Sequence, residues 1–85
     1  MQNSIYRFID DLIGDMDNTV RYSIQERTGR AWCIAELDDE YQKGFGALLF
    51  CKCYEHSITD YEYENLLDKL FNAQQDALQR LAKEY

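Results

Sequence analysis

From Thr59 to Tyr85 the chain spells one long amphipathic helix, and no proline occurs anywhere in its 85 residues. Proline removes a backbone donor and its ring strikes the preceding turn, at about 3 kcal/mol in a helix interior. Its absence leaves long helices unopposed. Thr59-Asp60-Tyr61-Glu62 matches the S/T-x-x-E capping box, in which the threonine hydroxyl accepts from an early backbone N–H and the glutamate reaches back to the cap N–H. Ile58, just before the cap, can staple against Tyr63. Asp60, Glu62 and Glu64 occupy the first turns, where the helix dipole favours anions, and Arg80 and Lys83 the last, where it favours cations. The apolar stripe reads Leu67, Leu70, Phe71, Leu78, Leu81 and Ala82, with Gln74 inside it. A single polar residue in such a seam can set register or oligomeric state, so this helix is also a candidate dimer seam.

Upstream, Ile5, Phe8, Ile9, Leu12 and Ile13 recur at i, i+3, i+4, i+7 and i+8, which predicts a one-sided helix from Asn3 or Ser4 to Ile13. Gly14 sits where such a helix commonly ends. The stretch from Asp17 to Gly29 admits two readings. As a helix it is capped by Asp17 or Asn18, lined by Val20, Ile24 and Arg27, and ended by Gly29. As a strand, Val20, Tyr22 and Ile24 alternate with Arg21, Ser23 and Gln25, and Thr28-Gly29 turns a β-hairpin spanning about residues 19–36. The helix is preferred, because the second limb, Ala31 to Leu37, is rich in Ala, Glu and Leu. From Ala31 to His56, Ile34, Leu37, Tyr41, Phe45, Leu48 and Lys52 recur at helical steps. Gly44 and Gly46 suggest a kink or break there, or a close approach to a neighbouring helix. Ala47–Phe50, with Cys51 and Cys53, is the most apolar run and the expected centre of the core. The expected architecture is all-α, one domain over residues 1–85, built as a compact three- to four-helix bundle. The alternative is an α+β fold carrying the hairpin.

The formal net charge is −7. Affinity for a nucleic-acid backbone comes from Lys and Arg neutralising phosphates, so direct nucleic-acid binding is not expected. An anionic membrane surface is disfavoured for the same reason. An acidic surface instead steers basic partners toward it. The three cysteines are an odd number, no signal-peptide pattern is visible, and no run approaches the roughly 18 apolar residues of a membrane span. These features point to a reducing, cytoplasmic setting with free thiols.

Cys51-x-Cys53-x-x-His56 is the one constellation that invites a metal, with Cys33 as a third thiolate for a Cys3His zinc site. The spacing argues against it. Residues two apart on a helix point to nearly opposite sides, and structural zinc sites use C-x2-C or longer. A Cys53–His56 nucleophilic pair lacks the electropositive setting that lowers a thiol pKa, since Glu55 works the other way. No metal ligands, no cofactor and no catalytic residues are assigned. The carboxylate clusters Asp10/Asp11, Asp38/Asp39/Glu40 and Asp60/Glu62/Glu64 read first as solvated helix faces, because an 85-residue helical chain has little room for a substrate cleft.

One arrangement asks for more. Asp60, Glu64 and Asp68 stand at i, i+4 and i+8, a row of like charges with a pitch of about 6 Å. Glu36 and Glu40 form a second, shorter row. Like charges at i, i+4 are mildly destabilising, and such local conflicts often mark function. A carboxylate row at this pitch can imitate a phosphate backbone and occupy the basic groove of a nucleic-acid-handling enzyme. Tyr61 and Tyr63 flank the row, with the amphipathic build common at interfaces. In size, acidity and tyrosine content the chain resembles small phage and mobile-element inhibitor proteins, including anti-CRISPR and other anti-defence proteins. That resemblance is one of size and charge, carries no motif and assigns no residue. The expected function is therefore a small, non-enzymatic acidic binding protein that modulates or inhibits a basic partner protein, with Asp60, Tyr61, Glu64, Asp68, Glu36 and Glu40 as candidate contact residues. The alternative is a self-associating structural or adaptor subunit that dimerises through its C-terminal helix.

Overall fold

A computed structural model of the chain describes residues 4–85. It contains three helices among the described residues: α1 (Ser4–Glu26), α2 (Arg30–Cys53) and α3 (Asp60–Glu84). The all-α expectation holds, and no strand occurs among the described residues, so the hairpin over 19–36 is overturned. The bundle has three helices because two predicted segments fuse into α1. Gly14 does not end the first helix, and Asp17 and Asn18 lie inside it rather than capping a second. The physical reason is a continuous buried face. Ile5, Ile9, Leu12, Met16, Val20 and Ser23 follow one another at steps of three and four straight across Gly14. The ~1 kcal/mol propensity cost of one glycine is small against that burial. The strand-like alternation of Val20, Tyr22 and Ile24 is incidental, since Val20 is buried while Tyr22 is exposed. Asn3, the other proposed start, lies outside the described residues.

Gly29 does not end α1. The helix closes two residues earlier, where Arg27 takes the left-handed conformation (φ 56°) and the Thr28 N–H donates to the Ser23 carbonyl at 3.2 Å. That six-to-one bond is a Schellman closure, with arginine at the position usually given to glycine. Gly29, at φ 98°, is instead the N-cap of α2. The short connections at 27–29 and 54–59 force each helix antiparallel to the one before. The result is an up-down-up rod of 42 × 18 × 16 Å.

Helix α2 runs unbroken through Gly44 and Gly46, so neither breaks it. Gly44 makes the close approach anticipated for one of them: a Cβ there would stand 2.5 Å from Leu70 Cδ2 and 3.1 Å from Leu12 Cδ1. It is the point where α2 backs onto both neighbours. The expectation that Ala47–Phe50 centres the core fails, because only Leu48 of that run is buried while Leu49 and Phe50 are exposed. A short apolar run on a helix faces all directions, and only one of its residues can face inward. The α2 residues that reach the core are Cys33, Leu37, Gly44 and Leu48. On α3 the buried line is Leu66, Leu70, Ala77 and Leu81, with Leu67 and Leu78 packed beside it. The stripe anticipated through Phe71 and Ala82 is therefore centred too far round the helix: both are exposed, whereas Leu66 and Ala77 carry the contact.

The capping box at the start of α3 is complete. The Glu62 N–H donates to Thr59 Oγ1 at 3.0 Å, and the Thr59 N–H donates to Glu62 Oε1 at 2.9 Å. The second carboxylate oxygen, Oε2, accepts the Tyr6 hydroxyl, so the cap also ties α3 to α1. Further along the same pair, Lys69 meets Asp10 at 2.8 Å and Arg80 meets Asp17 at 2.5 Å. At the far end the Tyr85 hydroxyl donates to the Ser23 carbonyl at 3.0 Å.

Candidate functional site

The two sides of α3 differ in kind. The side toward α1 is occupied by Glu62, Lys69 and Arg80, all engaged in the ties just described. The side toward α2 and solvent carries the carboxylate row. Asp60, Glu64 and Asp68 are all exposed. Asp60 is held loosely by Lys52 of α2 at 3.8 Å. No ion pair or hydrogen bond involves the Glu64 or Asp68 side chain among the described residues. Tyr61, 74% exposed, stands beside the row without a ring partner among those residues. Lys52 itself lies 4.4 Å from the Tyr63 ring centroid, a cation–π contact that fixes it at one end of the row.

The second row behaves differently. Glu36 and Glu40 are half-buried on α2, and Glu40 is turned toward α1. Glu40 Oε2 accepts from Thr19 Oγ1 at 2.8 Å, while Oε1 is shut from solvent without a partner among the described residues. Burial is the main cause that pushes the Glu40 carboxyl above its ordinary range; the Thr19 bond opposes it, and Asp15 and Glu36 add to it. These two carboxylates do not extend the α3 row. They belong to a different seam of the bundle, and sequence spacing along one helix could not reveal that.

Between α2 and α3, next to the acidic row, lies an aromatic strip the sequence reading did not assemble. Tyr41, Phe45 and Leu49 follow at i, i+4 and i+8 on α2, and Phe71 rises from α3. Tyr41 stacks on Phe45 at 6.3 Å between centroids and meets Phe71 edge-on at 6.5 Å. Phe71 is 48% exposed and Leu49 40%. The signal was present: Phe71 is one turn past Asp68, on the same side of α3. Its apolar character and spacing equally fit a buried stripe, which is why the sequence alone predicts a core position for it.

A second apolar surface, a groove of about 380 Å³, opens between the first turns of α1 and the end of α2, lined by Ile5, Phe8, Ala47 and Cys51. Its rim carries Arg7 and Asp11, one charge of each sign, so it presents no single field.

The cysteine–histidine constellation is dispersed. Cys33 is wholly buried in α2, and burial pushes its thiol pKa up. Cys51 lies near Glu55 at 3.7 Å, and Cys53 and His56 are exposed. His56 has left the helix with φ 52°. Among the described residues no group of three His, Cys, Asp or Glu is placed to hold a metal ion. No described helix is long and apolar enough to cross a membrane. Of the α3 stripe named as a candidate dimer seam, Leu70 and Leu81 are buried within the bundle, Leu67 and Leu78 are half-buried, and Phe71 and Ala82 are exposed. Comparison with protein-family models, curated proteins and solved structures gives no match to this chain.

Proposed function

We propose that this chain is a non-enzymatic binding protein that modulates or inhibits a basic, nucleic-acid-handling partner protein through the carboxylate face of α3. The observation that carries the reading is the state of the row. Glu64 and Asp68 are exposed and unpaired among the described residues, while Glu62 of the same helix is tied to Tyr6 of α1 and Asp76 stands 3.5 Å from Arg80 one turn on. Two like-charge i, i+4 pairs cost a few tenths of a kcal/mol each. A basic partner set against this side of α3 would relieve both repulsive pairs at once. A row of carboxylates about 6 Å apart also approximates the spacing of phosphates along a nucleic-acid strand, which is the basis for an inhibitor that occupies a nucleic-acid groove in the manner of anti-CRISPR and other anti-defence proteins.

The test is affinity capture of the partner from the native host, followed by titration of the purified pair. Replacing Asp60, Glu64 and Asp68 together by lysine is expected to weaken binding at least roughly a hundredfold, at about 1–2 kcal/mol per desolvated charge pair. Wild-type affinity should fall steeply with salt. Binding that survives the triple reversal removes the proposal. Glu64→Lys alone serves as the folding control. It converts both repulsive pairs into attractive ones and is expected to stabilise the free protein by about 0.5–1 kcal/mol.

A further inference from the structure

The carboxylate row and the aromatic strip run side by side and overlap along about half their length. The antiparallel pairing that sets Lys52 against Asp60 and Tyr41 against Phe71 brings Phe45 and Leu49 level with the Asp68–Glu64 stretch of α3. Each line spans eight residues of helix, Tyr41 to Leu49 and Asp60 to Asp68, or about 12 Å at 1.5 Å per residue. The face is therefore a half-exposed apolar strip, roughly two helical turns long, bordered by carboxylates of which Glu64 and Asp68 are unpaired among the described residues.

We propose that this α2–α3 face docks a basic amphipathic α-helix of the partner protein, with its apolar side chains over Phe45, Leu49 and Phe71 and its Lys or Arg side chains against Glu64 and Asp68. The inference rests on the proposed function and narrows it to one kind of occupant. Charge complementarity selects the sign: the row is anionic, and Lys52, the cation placed on this face among the described residues, already faces Asp60 and the Tyr63 ring. A second copy of this chain, with a formal net charge of −7, is repelled by that row overall. The spacing of the apolar residues selects the helix. Exposed side chains following at i, i+4 and i+8 along one helix, with Phe71 beside them on its antiparallel neighbour, offer a strip on which a further helix packs with anchors at i, i+4 and i+7. No sheet edge exists among the described residues for an extended peptide to extend. A nucleic acid is excluded by sign. The groove at Ile5, Phe8, Ala47 and Cys51 lacks the anionic row.

The probe is a designed peptide of about 15 residues, leucine at i, i+4, i+7 and i+11 with lysine and arginine on the flanking positions. Its controls are a peptide of identical composition with the leucine spacing scrambled, and an amphipathic peptide with glutamate in place of lysine and arginine. Amide shifts of the isotope-labelled protein and peptide helicity by circular dichroism are read together. The amphipathic basic peptide is expected to bind roughly tenfold or more tightly than the scrambled one. It should gain helicity on binding and shift the amides around Leu49, Glu64 and Phe71. Leu49→Ser, at an exposed position that leaves folding intact, should weaken it by a similar factor. Equal binding of the scrambled peptide, shifts confined to the α1–α2 groove, or binding unaffected by Leu49→Ser overturns the helix-docking proposal. If Leu49→Ser is silent while lysine at Glu64 and Asp68 still abolishes binding of the captured partner, the acidic-row function stands and only its helical occupant falls. A dimer in light scattering that Leu49→Ser dissociates would assign the face to self-association and overturn the proposal as well.

Discussion

Gly44 and Gly46 are two residues apart and have opposite relations to the fold. A Cβ at Gly46 meets nothing within 4 Å, whereas a Cβ at Gly44 would press on Leu70, a side chain with no exposed surface and no free direction to move. Alanine raises helix propensity by about 1 kcal/mol at either site. At Gly46 that gain stands alone, and Gly46→Ala is expected to stabilise the protein by about 1 kcal/mol in urea unfolding. At Gly44 it is opposed by overpacking, which costs about 1–3 kcal/mol, so Gly44→Ala is expected to be neutral or destabilising by up to about 2 kcal/mol. If both variants gain stability equally, the close approach of α2 to Leu70 and Leu12 is not what holds Gly44 in place. Arg27 makes the complementary point. It adopts φ 56° without glycine's freedom because the Thr28-to-Ser23 bond and the hydroxyl pair of Ser23 and Thr28 at 2.7 Å close the turn around it.

At the scale of elements, the start of α3 is the best-determined junction. Glu62 satisfies its own cap and accepts the Tyr6 hydroxyl of α1. The Tyr6 hydrogen bond, with the Thr59 backbone bond second, holds the Glu62 carboxyl below its ordinary range, and the same bond with Glu62 raises the Tyr6 phenol above its own. A depressed carboxyl contributes stability that is full above the unfolded-chain value, about 4.3 for Glu, and is lost as pH falls through the folded value. A raised phenol contributes stability that is full below about 10 and is lost as pH rises through its folded value. Glu62→Gln is therefore expected to melt lower than wild type at pH 7, the gap closing as pH drops below about 4. A gap that persists at pH 2 would show that packing, not the ionised carboxylate, holds the junction. This cap was legible from four residues because every partner is local. The core face of α3 was not. Which of several leucine stripes turns inward depends on where two other helices stand, and that displaced the predicted face from Leu66–Ala77 toward Phe71 and Ala82. The same limit placed Glu40 on the surface in the sequence reading, although Thr19, 21 residues away, holds it in the α1–α2 seam. Of the binding face, the exposed charge row was readable from its spacing. The aromatic strip beside it was not, because Tyr41 and Phe71 meet only once the bundle has formed.

At the scale of the whole molecule the charge is not spread evenly along the 42 Å rod. The end holding the α1–α2 turn and the C-terminus, residues 21–36 and 78–85, has five cations (Arg21, Arg27, Arg30, Arg80 and Lys83) against three anions (Glu26, Glu36 and Glu84). The rest of the chain has four cations against thirteen anions. The protein therefore has a weakly positive tip and a strongly negative body, and the α3 row lies on the body. A basic partner is drawn to the body first, so the field orients the encounter before any contact forms. The same asymmetry acts on the free protein. At about 0.01 M salt the screening length is about 30 Å, longer than the 16–18 Å cross-section. The carboxylates of all three helices then repel one another through the whole body. At about 0.1 M the length falls to about 10 Å, and repulsion across the rod is largely screened while short ties such as Lys69–Asp10, at 2.8 Å, persist. The melting temperature is accordingly expected to rise between about 0.01 and 0.1 M sodium chloride. The slope should flatten when Glu64 and Asp68 become lysine, and steepen when Arg27 and Arg30 become glutamate. A melting temperature that falls with salt would mean that the cross-helix ion pairs outweigh the repulsion of the body, and the negative field could not then be a burden retained for a partner's sake.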